Sequence, residues 1–346
     1  MKALVKTGFG PGCMELIERE KPAAGDHQVL VKVADAAISP RDLYIQDGEY
    51  AHFPPVIMGS QFSGTVEQVG SGVLGWHAGD RVVADDYAVT CGKCVYCLTG
   101  RGYFCPDKRT LGVGADGCFA SHLTVPARLL HRVPDRLPLR DACLMSCAAV
   151  CMHGVIERAG VLPGDTVVIM GCGVHCLITV QLLRIVGAGK IIVCGMPADS
   201  EFRIPLAGEF GATEALEYHR VDAIDVVMDM TDGLGADLVV DFLGTQNAAE
   251  HGISMIRARG RYCMIGIPQS FEISLPWQRI LDRAVTAIFH NGADYMSWER
   301  VIGFAADGRL RLAPLITDVF KPDDWKEAFA YARRGEALKI LFEIDG

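Results

Sequence analysis

Apolar positions along the chain change period in a regular order, and that order predicts the elements. Residues 166–170 (Thr-Val-Val-Ile-Met) form a short β-branched run that passes into Gly171-Cys172-Gly173-Val174-His175-Cys176, then into the apolar-periodic segment 177–186. This is the pattern of strand, tight turn and helix. Further runs at 190–194, 237–241 and 261–265 read as strands. A helix-like stretch ending Glu209-Phe210-Gly211-Ala212 separates the first two of these. Strands that alternate with helices predict a parallel, doubly wound sheet. The N-terminal part differs. Runs at 2–6 and 28–34 flank a turn at 22–26, and glycines at 59, 64, 70 and 79 interrupt β-branched segments, which predicts a compact, bulged β-barrel. Segments 111–125 and 129–134 close this domain. Residues 325–334 form an amphipathic helix, and 340–344 a last strand returning to the first domain.

The glycine turn suggests chemistry. Gly171 lets the backbone turn sharply and Gly173 lets it approach a pyrophosphate, with free N–H groups at the helix start facing the phosphate charge. Cys176 stands where the third glycine of G-x-G-x-x-G falls, so the motif is imperfect. The residue ending the second strand commonly selects the dinucleotide, because an acid there accepts from the adenosine ribose. Here it is Gly195, with Arg203 shortly after, which favours NADP(H) over NAD(H). Asp199 and Glu201 are the acids able to serve NAD(H) instead, and a solvated helix position is the ordinary fate of Arg203.

Length and composition bound the picture. A chain of 346 residues suits about two domains. Half its residues are hydrophobic and its net charge is −9, which points away from nucleic acid. No signal-peptide pattern and no long apolar span occur, so a cytoplasmic protein with no membrane partner is expected. The 13 cysteines then read as metal ligands and buried thiols. Cys91, Cys94, Cys97 and Cys105 have the spacing C-x2-C-x2-C-x7-C, with glycines at 92, 100 and 102 allowing tight turns. A closed set of four thiolates fits structural zinc, with iron–sulfur ligation as the alternative. Cys143, Cys147 and Cys151 fall at i, i+4 and i+8, and with His153 form a rival metal set to the simpler reading of buried core thiols.

These pieces in this order resemble the medium-chain dehydrogenase/reductases, specifically the zinc-containing alcohol, polyol and threonine dehydrogenase branch. The resemblance rests on the glycine pattern from Gly59 to Val82, the cysteine lobe, Asp116-Gly117-Cys118-Phe119-Ala120, the glycine turn, and the ending Gly335-Glu336-Ala337-Leu338-Lys339. It implies an α/β chain with a GroES-like β-barrel catalytic domain (1–150 and 285–346) and a Rossmann NAD(P)-binding domain (151–284). It also implies one structural Zn²⁺ in the lobe, and a homodimer or homotetramer. Expected cofactor contacts are Gly171, Gly173, Val174, His175, Gly195, Arg203, Gly266 and Asn291. Gly266-Ile267-Pro268 and the stretch Phe289-His290-Asn291-Gly292 would lie near the nicotinamide, with His290 read as a surface-loop residue.

The departures from that family set the functional expectation. Ser39 occupies the place of a zinc-binding cysteine, Gly59-Ser60-Gln61 replaces Gly-His-Glu, and a further ligand position falls near Ser146. Serine hydroxyls and a glutamine amide bind Zn²⁺ poorly, so a catalytic zinc is not expected. Ser39, Arg41, Tyr44 and Ser60 become the candidate catalytic donors. Arg41 stands where the family usually starts a proton relay and Tyr44 where it often has histidine. The expected activity is NAD(P)-dependent hydride transfer to or from a small carbonyl, imine, iminium or enone, the acceptor being anionic if Arg41 binds it. The alternatives are a cofactor-binding structural or regulatory protein without turnover, and an alcohol dehydrogenase with a rebuilt metal site.

Overall fold

In a computed structural model, residues 1–199, 201–218, 222–268 and 272–344 are described. The first part of the chain supplies β1 (Lys2–Lys6), β2 (Met14–Glu18), β3 (Gln28–Ala37), β4 (Val56–Ile57), β5 (Gln61–Val69), β6 (Arg81–Ala84), β7 (His122–Pro126) and β8 (Leu130–Arg132). The middle supplies β9 (Thr166–Met170), β10 (Lys190–Gly195), β11 (Glu214–Glu217), β12 (Ala236–Asp241), β13 (Ile256–Met264) and β14 (Thr286–Phe289). The chain ends with β15 (Ile316–Phe320) and β16 (Lys339–Glu343). Contacts divide these into two compact units, Met1–Ser146 with Asp294–Gly346, and Cys147–Ala293.

The first unit is built on β3. β5 pairs along its whole length on one edge, while β7 and β16 share the other, β7 opposite 28–32 and β16 opposite 35–37. The register slips after Leu30 and after Val33, the bulges expected of a strand that must curve. β6, β8 and β15 extend this sheet, and β2-β1-β4 forms a smaller one. Val29, Val31, Val33 and Ala36 are buried, and the helix Trp325–Arg334 covers the core with Trp325, Ala328 and Phe329, the i, i+3, i+4 spacing of one helix face. Phe119 meets Phe342 edge-on at 5.1 Å, and Phe329 stacks on Phe342 at 6.5 Å. Segment 111–125 forms turns held by isolated bridges until β7 begins at His122.

The second unit is a six-stranded parallel sheet in the order β11-β10-β9-β12-β13-β14. Chain order reverses between β9 and β12, the point where such sheets open a crevice beyond their carboxyl ends. β14 belongs to this sheet, pairing with β13 from Arg261↔Thr286 to Met264↔Phe289, so the return to the first unit comes at Asp294 and not at 285. β13 begins earlier than expected, because the helix Gln246–Met255 passes into it without a loop. Among the described residues, no helix is long and apolar enough to cross a membrane.

One buried polar cluster ties the helix Tyr295–Ala306 to the first unit's sheet. His131 stacks on Trp298 (4.8 Å between ring centres, 5° between planes) and places Nδ1 2.8 Å from Glu299 Oε1. Its Nε2 lies 4.0 Å from Asp85 Oδ2, and Asp85 Oδ1 accepts from Trp298 Nε1 at 3.0 Å. Burial opposes the imidazolium, but Asp85 and Glu299 outweigh it, and the pKa is raised above the ordinary histidine value. A raised native pKa stabilises the fold fully below the unfolded value of about 6.5, and this contribution is lost as pH rises through the native value. Urea midpoints should therefore decline from about pH 6 to 8 in the natural protein, and His131→Gln should flatten that slope.

Candidate functional site

In the second unit, the turn after β9 forms as expected. Gly171 sits at φ +107°, a region that disfavours side chains, and donates its N–H to Cys194 O at 2.8 Å. Gly173 caps the 13-residue helix Val174–Val186, and a Cβ placed on it would meet nothing within 4 Å, so space stands open over the helix start. Leu177 N–H, in the first turn, already bonds Gly173 O, leaving the earlier N–H groups for a ligand. Cys176 is wholly buried and packs where the third glycine would, and His175 stacks on Phe242 at 5.9 Å. Val174 is also buried. These residues, with Gly195 ending β10, Gly266 after β13 and the exposed Asn291 after β14, all lie at the carboxyl ends of the parallel strands.

Two residues behave differently from their sequence reading. Arg203 is not a solvated helix residue: its Nη1 donates to Asp199 Oδ1 at 2.8 Å, and its side chain is 17% exposed. Asp199 Oδ2 in turn accepts from Met196 N–H at 2.7 Å, so the loop after Gly195 is closed by its own acid. His290 is not a surface-loop residue but is buried, because Gly154 leaves room for it; a Cβ on Gly154 would come within 2.4 Å of its Cδ2. Arg158 Nη1 donates to His290 Nδ1 at 3.1 Å and to Phe289 O at 2.9 Å. Burial first, then the neighbouring His153 and Arg158, push the His290 pKa down to about 4, so the ring is neutral with its proton on Nε2. His153 meets it edge-on at 5.1 Å and pairs with Glu157 at 2.8 Å.

Among the described residues, the rival cysteine set is not found as a metal-ligand cluster. Cys143, Cys147 and Cys151 are buried thiols. Cys143 ends one helix while Cys147 and Cys151 lie on the next. Cys143 donates toward Asp35 O at 3.5 Å, and Cys151 toward His175 O at 3.4 Å, contacts of core thiols.

In the first unit, the pairings Ala37↔Gln61 and Leu341↔Ala37 bring residues after β3, before β5 and at the start of β16 to one end of the sheet. Ser39 precedes the helix Pro40–Asp47, and both its N–H (2.8 Å) and its Oγ (2.5 Å) donate to Asp42 Oδ2. Asp42 is 2% exposed; burial raises its pKa against the opposing bond from Ser39 and the charge of Arg41. Arg41 Nη2 donates to Ser60 Oγ at 2.5 Å and to Asp86 Oδ2 at 2.7 Å. Burial works against the guanidinium, and Asp86 more than compensates, so it stays charged. Lys339, also buried, donates to Gln61 Oε1 at 2.6 Å. Tyr44 is half-buried, and its hydroxyl makes no hydrogen bond with the described residues. The Ser146 hydroxyl is buried with no hydrogen-bond partner among them. Sequence reading missed Asp86, Asp42 and Lys339 as partners, since nothing local links Asp86 to an arginine 45 residues away.

The four lobe cysteines converge, their Sγ atoms all within 4.8 Å of one another. Backbone N–H groups aim at the sulfurs, Cys94 N at Cys91 Sγ and Cys91 N at Cys105 Sγ, each 3.3 Å. The N–H groups of Lys93 and Cys94 draw the Cys91 thiol down to about 6. Four sulfurs around one point are compatible with tetrahedral zinc.

Comparison with known proteins agrees with this architecture. Residues 25–135 match the alcohol dehydrogenase GroES-like domain, and residues 176–307 the zinc-binding dehydrogenase family. The chain is 32% identical to a sorbitol dehydrogenase of Halalkalibacterium halodurans over 99% of its length and 98% of the relative's. It is 33% identical to an L-threonine 3-dehydrogenase of Pyrococcus horikoshii, covering 99% of both chains. A Sinorhizobium meliloti zinc-binding dehydrogenase solved bound to NADP superposes with TM-score 0.91 at 26% identity, over 99% of this chain and 98% of that one. Fold and sequence together define a GroES-like barrel joined to a Rossmann sheet. The chain belongs to the zinc-type alcohol dehydrogenases of the medium-chain dehydrogenase/reductase family, and it is an NAD(P)-dependent oxidoreductase.

Zinc bound by short peptides is worth about 10–16 kcal/mol, and the lobe has little core of its own. Cys97→Ser should lower the zinc content of the purified protein from about one per chain toward zero. It should also expose residues 91–105 to limited proteolysis, and unchanged zinc and protection would rule out the lobe as the zinc site.

Proposed function

We propose that this oxidoreductase transfers hydride between NAD(P)H and a small carbonyl, imine, iminium or enone without a catalytic zinc. The observation that carries the reading is the donor set at the end of β3. A catalytic zinc draws about three ligands from thiolate, imidazole and carboxylate. Ser39 Oγ gives its proton to Asp42, and Ser60 Oγ accepts from a guanidinium. Both hydroxyls are engaged, and a cation already stands 2.5 Å from one of them. These residues do not fit the metal.

What a metal does for a carbonyl, preorganised donors do in part. Each well-aimed donor is worth about 2.7–4 kcal/mol at the transition state. In this reading Arg41 and Ser60 polarise the acceptor oxygen, Ser39 orients Asp42 away from it, and the free Tyr44 hydroxyl is positioned to exchange a proton. The dinucleotide lies over Gly171, Gly173, Val174 and His175 at the helix start, and NADP(H) is favoured. Gly195 offers no carboxylate to repel a 2′-phosphate, and both oxygens of Asp199 are taken by Met196 N–H and Arg203. A solved neighbour bound to NADP supports that preference, while another is described as an NAD-dependent alcohol dehydrogenase. We further propose a cytoplasmic homodimer or homotetramer. β14 is an edge strand of the parallel sheet and leaves Phe289 62% exposed, a surface that suits pairing with a second copy.

Parallel titrations with NADPH and NADH, followed by fluorescence on protein of measured zinc content, test the reading. Micromolar binding of NADPH, weaker binding of NADH and about one zinc per chain are expected. Well-folded protein that binds neither dinucleotide would defeat it, and about two zincs per chain would restore a catalytic metal.

A further inference from the structure

We propose that Arg41, held by Asp86 and Ser60, is a receptor for a negatively charged oxygen, and that the substrate class of this enzyme is set by that oxygen. The inference deepens the hydride-transfer reading and rests on it for its chemistry, but its binding test does not. A guanidinium has five N–H donors and no acceptor. Two of them, both on Nη2, go to Ser60 Oγ and Asp86 Oδ2. The remaining three, on Nη1 and Nε, find no acceptor among the described residues. The side chain is 21% exposed, so these donors are shielded on most sides yet remain reachable by a small ligand. A structural ion pair would need only the Asp86 contact. Here Ser60, itself 2% exposed, spends its hydroxyl as an acceptor on the same Nη2 that Asp86 holds, which leaves the Nη1 and Nε edge without an acceptor among the described residues.

The charges around Arg41 favour an oxygen anion over a cation or an apolar group. Asp42 Oδ2 accepts both bonds from Ser39 and none from Arg41, and the second cation, Lys339, already donates to Gln61 Oε1. Asp86 balances the guanidinium while the site is empty, and its other oxygen makes no hydrogen bond with the described residues. Charge-assisted bonds to an oxygen anion are roughly twice as strong as neutral ones. The anion could have two sources: a carboxylate that the substrate carries permanently, or the carbonyl oxygen on which charge develops as hydride reaches carbon. Both present the same chemistry to Arg41.

Titration of the zinc-loaded protein with acetate and with its neutral isostere acetamide, in chloride-free buffer, separates these cases. Acetate should bind at least about tenfold tighter than acetamide, and Arg41→Gln should abolish the difference, while Arg41→Lys retains part of it. Asp86→Asn keeps an acceptor for Nη2 but removes the balancing charge, so it should tighten acetate binding several-fold. A pair with a purely structural role would instead weaken binding in both variants. If Arg41→Gln weakens acetate alone, the oxygen is a permanent substrate carboxylate. If it weakens acetate and acetamide together, and the two probes exclude one another, the receptor takes the reacting carbonyl oxygen. Equal binding of both probes, unaffected by Arg41→Gln in folded protein, overturns the proposal. Micromolar dinucleotide binding in that same protein would leave the hydride-transfer reading standing.

Discussion

The first unit depends on one strand being paired three ways. β3 carries β5 along one edge and divides the other between β7 and β16. A shift of one residue would turn its buried valines to solvent, so burial fixes the register firmly. The same register decides what meets at the strand's end. Residues 39–41 leave β3 as residue 60 enters β5, and Lys339 opens β16 beside them. Packing that has nothing to do with chemistry thus delivers two cations, two serines and a glutamine to one place.

How much of this was legible depended on distance along the chain. The glycine turn and the cysteine lobe are local; their geometry follows from a few consecutive residues, and both form as their spacing indicates. The alternation of strands and helices likewise gave the parallel sheet. Arg41 with Asp86 was not legible, because the pair exists only after β5 and β6 have placed the loop that follows β6. His290 was misread for the same reason. A histidine after a short strand looks solvated until the π-helical segment Met152–Arg158 supplies Gly154 as its floor and Arg158 as its donor. The Arg203–Asp199 pair was not legible either, because the sequence reading weighed the two residues separately, Arg203 beside a 2′-phosphate and Asp199 as a ribose acceptor.

The two candidate binding regions deal with charge in different ways, although both units contain ion pairs. The turn after β9 offers partial charges: N–H groups at the start of the helix Val174–Val186, with no cation in the turn itself. Arg203, the nearby cation, is already paired. The end of β3 offers full charges. Arg41 faces Asp86, and Arg140 bonds both Asp35 and Glu343. Partial charges suit a dinucleotide whose pyrophosphate is shared by many enzymes, while a fixed full charge discriminates among small molecules.

Exchange of a metal for a guanidinium changes what an active site can do, and in the proposed chemistry that exchange explains the whole set of substitutions together. Zn²⁺ needs anionic or imidazole ligands, and a guanidinium beside them would be repelled by the metal at several kcal/mol over a few ångströms even at an effective dielectric of about 20. Loss of the ligands without gain of a cation would leave a neutral pocket unable to polarise a carbonyl. Gain of the cation without loss of the ligands would not be tolerated. On the proposed reading, Ser39, Ser60 and Arg41 form one coupled change, and Asp86 pairs with the added charge. The guanidinium polarises less strongly than a divalent ion, which restricts such a site to acceptors that are already activated or that bring an anion of their own. Serine in place of each ligand keeps the side chains small enough for the arginine to fit, and gives it one acceptor that carries no competing charge.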